Sequence, residues 1–76
     1  MLNEHMEEAT MTLPPTQLLP ERDAARYIGM SRDFLRHQRM HGRGPAYARL
    51  GRSVRYRIGD LESWLDARMV RSRDAA

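Results

Sequence analysis

The sequence contains no cysteine and no lysine, and it has one phenylalanine and one tryptophan among its 76 residues. Without cysteine, neither a disulfide framework nor a thiolate zinc site can form. No apolar run approaches the roughly 18–20 residues that cross a bilayer, so we expect a cytoplasmic protein without a membrane partner. A chain this short builds one small core, which excludes most large enzyme classes.

All 13 basic residues are arginine, and they are unevenly distributed. Residues 1–19 carry three glutamates and no arginine, whereas residues 20–76 carry 13 arginines against seven acids. No acid lies from Phe34 to Gly59, although this stretch of 26 residues has seven arginines. Acids are normally interspersed on a protein surface, so the stretch predicts a face for a polyanion, with nucleic acid first. We therefore expect the protein to be nucleoid-associated. A solvated basic face is the alternative interpretation.

The composition divides the chain into three segments. Residues 1–17 are acidic and contain Pro14-Pro15, which favours polyproline II, so we expect a flexible N-terminal arm. Residues 18–70 have the patterning of one folded domain. Residues 71–76 are typical of a flexible tail.

Two short helices separated by a glycine turn are predicted within the domain. Pro20 suits the first position of a helix, and Gly29 suits the left-handed residue after its end. Ser31 is a good N-cap for a second helix from Arg32 to about His41. Helix, tight turn and helix are the spacing of a helix-turn-helix motif.

The second helix is predicted to present a polar face outward. Its helical spacing directs Phe34 and Leu35 toward the core. The opposite face carries the residues that we expect to read DNA bases, which are Arg32, Asp33, Arg36 and His37. Three neighbours are expected to continue a phosphate track, namely Ser31, Arg39 and Arg43. An ordinary polar outer face is the alternative for this helix.

From Ala46 onward the period becomes two, which predicts a hairpin with Gly51-Arg52-Ser53 as its turn. One face of the hairpin is expected to be apolar and the other rich in arginine. A basic hairpin that follows a recognition helix is a DNA-binding wing, and its expected contacts are Arg49, Arg52, Ser53 and Arg55. The predicted fold is therefore α+β, a small winged helix-turn-helix.

Asp60 is expected to cap a third helix, which completes the domain. Leu61, Trp64 and Leu65 give it an apolar stripe that Met69 extends. Trp64 lies on that stripe, so we expect it to anchor the core.

Several short motifs resemble the MerR-type winged helix of excisionase-like and AlpA-like proteins, over residues 18–67. The motifs, in chain order, are Leu18-Leu19, Ala24-Ala25-Arg26-Tyr27-Ile28-Gly29-Met30-Ser31, Leu35, Pro45-Ala46-Tyr47, Arg55-Tyr56-Arg57, Asp60-Leu61 and Trp64-Leu65. The chain departs from the family pattern at Pro20, where a helix-start threonine is usual, and at Gln38, which is usually apolar.

The resemblance implies a recombination directionality factor. Such a protein binds tandem double-stranded DNA sites, bends the DNA and promotes excision of a mobile element by a tyrosine-type integrase. We also expect head-to-tail self-association on DNA, because one small domain has limited specificity. The alternatives are an AlpA-like transcriptional regulator with the same fold and, less favoured, a protein-interaction adaptor.

The sequence offers no convincing catalytic or metal-binding set. His37 and His41 have the i, i+4 spacing of a zinc helix, but the metalloprotease glutamate and a third ligand are missing. Ser31 and Ser53 lack plausible His/Asp partners. We therefore expect a protein that is not an enzyme and that uses no cofactor and no metal.

Overall fold

A computed structural model describes residues 13–72 of the chain. Its elements, in chain order, are β1 (Leu18–Pro20), α1 (Glu21–Tyr27), α2 (Arg32–Met40), β2 (Ala48–Leu50), β3 (Ser53–Arg57) and α3 (Ile58–Asp66). The strands form an antiparallel sheet in the order β1-β3-β2. Three helices and this sheet confirm the predicted α+β class. Within residues 13–72, no helix has the length and apolar character needed to cross a bilayer.

The connection between α1 and α2 follows the local rules of helix ends. Gly29 adopts a φ of +74°, and the Met30 N–H donates to the Ala25 carbonyl at 2.9 Å, which ends α1 in a Schellman motif. The Ser31 Oγ accepts a hydrogen bond of 3.1 Å from the Phe34 N–H, so it caps α2. The predicted roles of Gly29 and Ser31 are confirmed.

The sheet includes a strand before α1, β1, which sequence patterning did not predict. In β1, Leu18 pairs with Arg57 and Pro20 pairs with Arg55. The predicted role of Pro20 as the first helical residue is wrong, because it ends β1 and α1 begins at Glu21. An edge strand tolerates proline because the missing N–H need not join the ladder.

The hairpin turn is one residue shorter than predicted. Leu50 pairs with Ser53, which leaves only Gly51 and Arg52 in the turn. Gly51 has a φ of +64°, a conformation that glycine adopts without strain at the first position of a tight hairpin turn.

This shift changes which side chains share a face. Arg49 pairs with Val54, and Ala48 pairs with Arg55. Directly opposed residues lie on the same face of a sheet, and a slip of one residue exchanges the faces of a whole strand. The prediction of one apolar face and one arginine face is therefore wrong, since Arg49 shares the inner face with Val54.

Helix α3 begins three residues earlier than predicted, at Ile58 rather than after a cap at Asp60. The Ile58 N–H donates to the Gln17 carbonyl at 3.1 Å, and the Gly59 N–H donates to the Pro15 carbonyl at 2.8 Å. Backbone carbonyls thus satisfy the first donors of the helix, and the predicted cap at Asp60 is wrong. Residues 13–17 of the predicted arm reach this helix end, while residues 1–12 lie outside the described residues.

The C-terminal end of α3 also differs from the prediction. The helix ends at Asp66, and Met69 is 74% exposed, so the expected extension of the apolar stripe is wrong. Of the predicted tail, residues 73–76 lie outside the described residues.

The core lies where α1 and α2 meet β3 and α3. Its buried side chains are Ala24, Ala25, Leu35, Tyr56 and Leu61. Trp64 is half-buried at the margin, where its ring packs edge-on against Phe34 with 6.4 Å between centroids. The Trp64 Nε1–H also donates to the Arg43 carbonyl at 3.0 Å, which ties α3 to the loop after α2.

Candidate nucleic-acid interface

The outer face of α2 carries the four side chains expected to read bases. Leu35 is fully buried, which fixes the rotation of the helix. All four of these side chains are exposed, namely Arg32, Asp33, Arg36 and His37. This face is therefore accessible to a large ligand.

A cleft of about 400 Å³ separates α2 from the β2–β3 hairpin. We call it the arginine cleft, and the arginines that line it are Arg22, Arg32, Arg39, Arg52 and Arg55. The fold thus brings one expected base-reading residue, Arg32, together with three expected wing residues, because Ser53 lines the cleft as well. Arg22, on α1, was not predicted as a site residue, because its contribution depends on how α1 packs.

Arg39 is largely withdrawn from the surface. Its Nε donates to Glu21 Oε2 at 2.8 Å and its Nη2 donates to Glu21 Oε1 at 3.3 Å, and only 17% of its side chain is exposed. The Tyr56 hydroxyl donates to the same Oε2 at 2.9 Å. Arg39 was expected to belong to the phosphate track, but its guanidinium is already hydrogen-bonded to Glu21.

Charge and burial shift the pKa values within this buried cluster. Burial alone would raise the pKa of Glu21, but hydrogen bonds from Arg39 and Tyr56 outweigh it and lower that pKa below 4.5. The pKa of Arg39 is raised, chiefly by its hydrogen bond to Glu21. Burial raises the pKa of Tyr56, and its hydrogen bond to Glu21 raises it further. The cluster is therefore an ionised pair with a neutral tyrosine at neutral pH.

Few carboxylates neutralise the exposed arginines. Among residues 13–72, the ion pairs within 4.0 Å are Arg22–Asp23, Arg39–Glu21 and Arg57–Asp60. Within that range, Arg32, Arg36 and Arg52 have no carboxylate partner. Positive charge consequently remains available on the α2 face and at the hairpin tip.

The other expected contacts have diverse surroundings. The Arg49 guanidinium lies 5.9 Å from the centre of the Tyr47 ring, and the Arg55 Nη1 donates to the Val54 carbonyl at 2.9 Å. Arg43 and Arg52 are exposed, whereas Ser53 is half-buried.

Tyr47 is an aromatic surface residue that sequence reasoning did not select. It is 40% exposed, and its ring lies 5.8 Å from the Arg39 guanidinium and 5.9 Å from that of Arg49. Its ring also lies 5.9 Å from the buried ring of Tyr56. In the sequence, an aromatic residue between Arg43 and Arg49, in a stretch without acids, was the signal that could have identified it.

His37 and His41 lie side by side with ring centroids 4.2 Å apart. The His41 Nδ1 is 2.9 Å from the His37 carbonyl oxygen, which engages one ring nitrogen of the pair. Among residues 13–72, no group of three or more histidine, cysteine or acidic side chains is arranged to hold a metal ion.

Comparison with known proteins finds no family model and no curated protein that matches this chain.

Proposed function

We propose that this protein is a winged helix-turn-helix DNA-binding protein, with α2 as the recognition helix and the β2–β3 hairpin as the wing. The observation that carries the proposal is the group of exposed arginines without carboxylate partners, Arg32, Arg36 and Arg52, on α2 and the adjacent hairpin. When such arginines neutralise DNA phosphates, the cations condensed on the DNA are released, and this release is a strong driving force for association.

In this proposal, α2 enters the major groove. Arg36 is the best candidate for a bidentate contact to guanine, and Asp33 is placed to accept from cytosine or to orient a neighbouring arginine. His37 completes the base-reading face. Arg39 acts as a positioning residue, because its fork already binds Glu21 and holds α2 against α1.

The hairpin would follow the backbone or enter the adjacent minor groove. Arg52 occupies the turn and is exposed, so it is the leading wing contact. Arg49 is exposed, but it shares a sheet face with Val54 and its guanidinium lies beside the Tyr47 ring, so we assign it a weaker contribution than Arg52. Arg43 would extend the contacts beyond the end of α2.

At the biological level, we propose an excisionase that directs a tyrosine-type integrase toward excision of a mobile element. The resemblance over residues 18–67 supports this role. A transcriptional regulator on the same fold is the alternative, and the two differ in whether the protein changes recombination or promoter output.

The DNA-binding proposal is tested by titrating a mixed-sequence duplex with the full chain at several salt concentrations. Four to six phosphate contacts give an expected log–log slope of roughly −4 to −5. Arg36→Ala and Arg52→Ala are compared with Arg26→Ala on α1, which removes the same charge from an exposed site outside the cleft lining, so contacts on the basic face are separated from a general change in surface charge. Absent or salt-insensitive binding overturns the proposal.

The excisionase proposal is tested with an integrase and paired attachment sites, scored with and without this protein. A reporter promoter is measured in parallel. Increased excision without a change in transcription supports the excisionase, whereas the reverse result supports the regulator.

A further inference from the structure

The arginine cleft carries more positive charge than the acidic residue in its lining can neutralise. Five arginines line it, and the single acid in its lining is Glu21, which already binds Arg39. Arg22 has a distant contact with Asp23, at 3.8 Å, and its side chain is 73% exposed. The free protein therefore holds several like charges around one open space, which an anion would stabilise.

We propose that the arginine cleft binds one phosphate group, and this inference rests on the proposed function for its source, a phosphodiester of the DNA backbone. The donors come from separate elements, since Arg22 lies on α1, Arg32 on α2 and Arg52 in the hairpin turn. Guanidinium groups that approach from several directions suit a tetrahedral anion with oxygens on every side. A planar carboxylate instead matches a single guanidinium fork, as Glu21 matches that of Arg39.

The position of the cleft agrees with this ligand. It lies between the proposed recognition helix and the proposed wing, and Glu21 and Arg39 form part of its lining. When α2 lies in the major groove of a duplex and the hairpin lies in the adjacent minor groove, the backbone of one strand must pass between them. The cleft is the space that the two elements leave for that backbone.

A phosphate bound in the cleft gives Arg32 a role other than base reading. Arg32 lines the cleft together with Arg52, and its charge helps to lower the pKa of Glu21. We therefore assign Arg32 to the phosphate and leave base reading to Arg36, Asp33 and His37. A phosphate contact carries no direct sequence information, so Arg32 contributes affinity rather than specificity.

The cleft is first tested without DNA. The full chain, labelled with ¹⁵N, is titrated with inorganic phosphate, and with acetate or chloride at matched ionic strength. We expect the amide resonances of the cleft residues to shift saturably with phosphate and not with acetate or chloride. The Arg32→Ala/Arg52→Ala double variant should bind phosphate about tenfold more weakly or worse, because charge-assisted hydrogen bonds are lost. Arg26→Ala is the single-charge control, since Arg26 is exposed on α1 outside the cleft lining.

The source of the phosphate is then tested with a mixed-sequence duplex. Each phosphate contact contributes about 0.9 to the log–log salt slope. If Arg32 and Arg52 share one phosphate, the double variant reduces the slope by about 0.9 in total. If they bind separate phosphates, the reduction is about 1.8. A folded-state spectrum of each variant confirms that the fold is retained.

The outcomes separate the two proposals. Saturable phosphate binding, together with a salt-slope reduction near 0.9 in the double variant, supports both proposals. Duplex binding with a reduction near 1.8 and no saturable phosphate binding overturns the shared cleft and leaves the DNA-binding proposal standing. Phosphate binding without duplex binding overturns DNA as the source and leaves the anion site. Loss of phosphate affinity in Arg26→Ala equal to that in the double variant overturns the site.

Discussion

Arg39 and Glu21 form a two-point ion pair, with hydrogen bonds of 2.8 Å from Nε and 3.3 Å from Nη2. Tyr56 donates to the same carboxylate at 2.9 Å. One acidic group on α1 thereby binds a residue on α2 and a residue on β3. This contact sets the distance between the proposed recognition helix and the proposed wing, so its loss should affect both stability and presentation of the DNA-binding face.

The first prediction concerns the contribution of Glu21 to stability. Glu21→Gln leaves the largely buried Arg39 without a counter-charge, so the free energy of unfolding should fall by about 3 kcal/mol. Glu62→Gln is the matched control, because Glu62 accepts from Tyr27 at an exposed site. Its cost should stay below about 1 kcal/mol. Urea denaturation at pH 7 measures both, and equal losses would contradict the assignment.

The second prediction is the pH dependence of the same pair. The folded-state pKa of Glu21 lies below its ordinary value of 4.5, so its stabilising contribution is present above about pH 4.5 and is lost as the pH falls through the folded-state pKa. The stability difference between the wild-type protein and Glu21→Gln should be constant from pH 7 to about pH 5 and shrink below pH 4.5. Urea titrations across this range measure it, and an undiminished difference at low pH is the opposing result.

The third prediction separates base reading from phosphate binding. Arg36→Ala should relax sequence preference, because a bidentate guanine contact discriminates by about 1–3 kcal/mol. Arg52→Ala should weaken binding to all sequences alike, and it should reduce the salt slope by no more than about 0.9, the contribution of the one phosphate that Arg52 shares with Arg32. Selection from a random duplex library, followed by binding measurements at two salt concentrations, gives both quantities. If both variants lose affinity uniformly, the division of roles is wrong.

The fourth prediction concerns the turn between α1 and α2. A Cβ at Gly29 meets no heavy atom within 4 Å, so the cost of Gly29→Ala comes from its φ of +74° alone. We expect a loss of about 1–2 kcal/mol for alanine. Gly29→Asn should cost less, because asparagine adopts the left-handed conformation more readily. Thermal unfolding compares the two, and an alanine variant as stable as wild type would falsify the strain argument.

The features that the sequence predicted well are governed by local rules. Gly29 and Ser31 mark helix ends through contacts within a few residues, and the spacing around Leu35 correctly indicated which side of α2 is exposed. The basic stretch from Phe34 to Gly59 likewise corresponds to exposed arginines on α2 and in the hairpin turn.

The features that escaped prediction depend on distant partners. A strand of three residues that ends in Pro20 is too short for periodicity to reveal, and its existence depends on β3. The observed hairpin register differs from the predicted one because the turn holds two residues rather than three, a difference that composition does not encode. Tyr56 offered a signal for the buried cluster, since a tyrosine hydroxyl directed into a core requires a hydrogen-bonding partner.

The antiparallel pairing of β1 with β3 has a consequence for the order of folding. Glu21 and Tyr56 are 35 residues apart, and Pro15 and Gln17 bind the first residues of α3. Helices α1 and α2 can form from near neighbours, but residues 15–21 gain their sheet and helix partners only after residues 53–59 are in place. The chain must bring these distant residues together before their contacts can stabilise the domain. The domain should therefore fold more slowly than a helical bundle of equal length. We expect the pairing of β1 with β3 to be the rate-limiting step of folding.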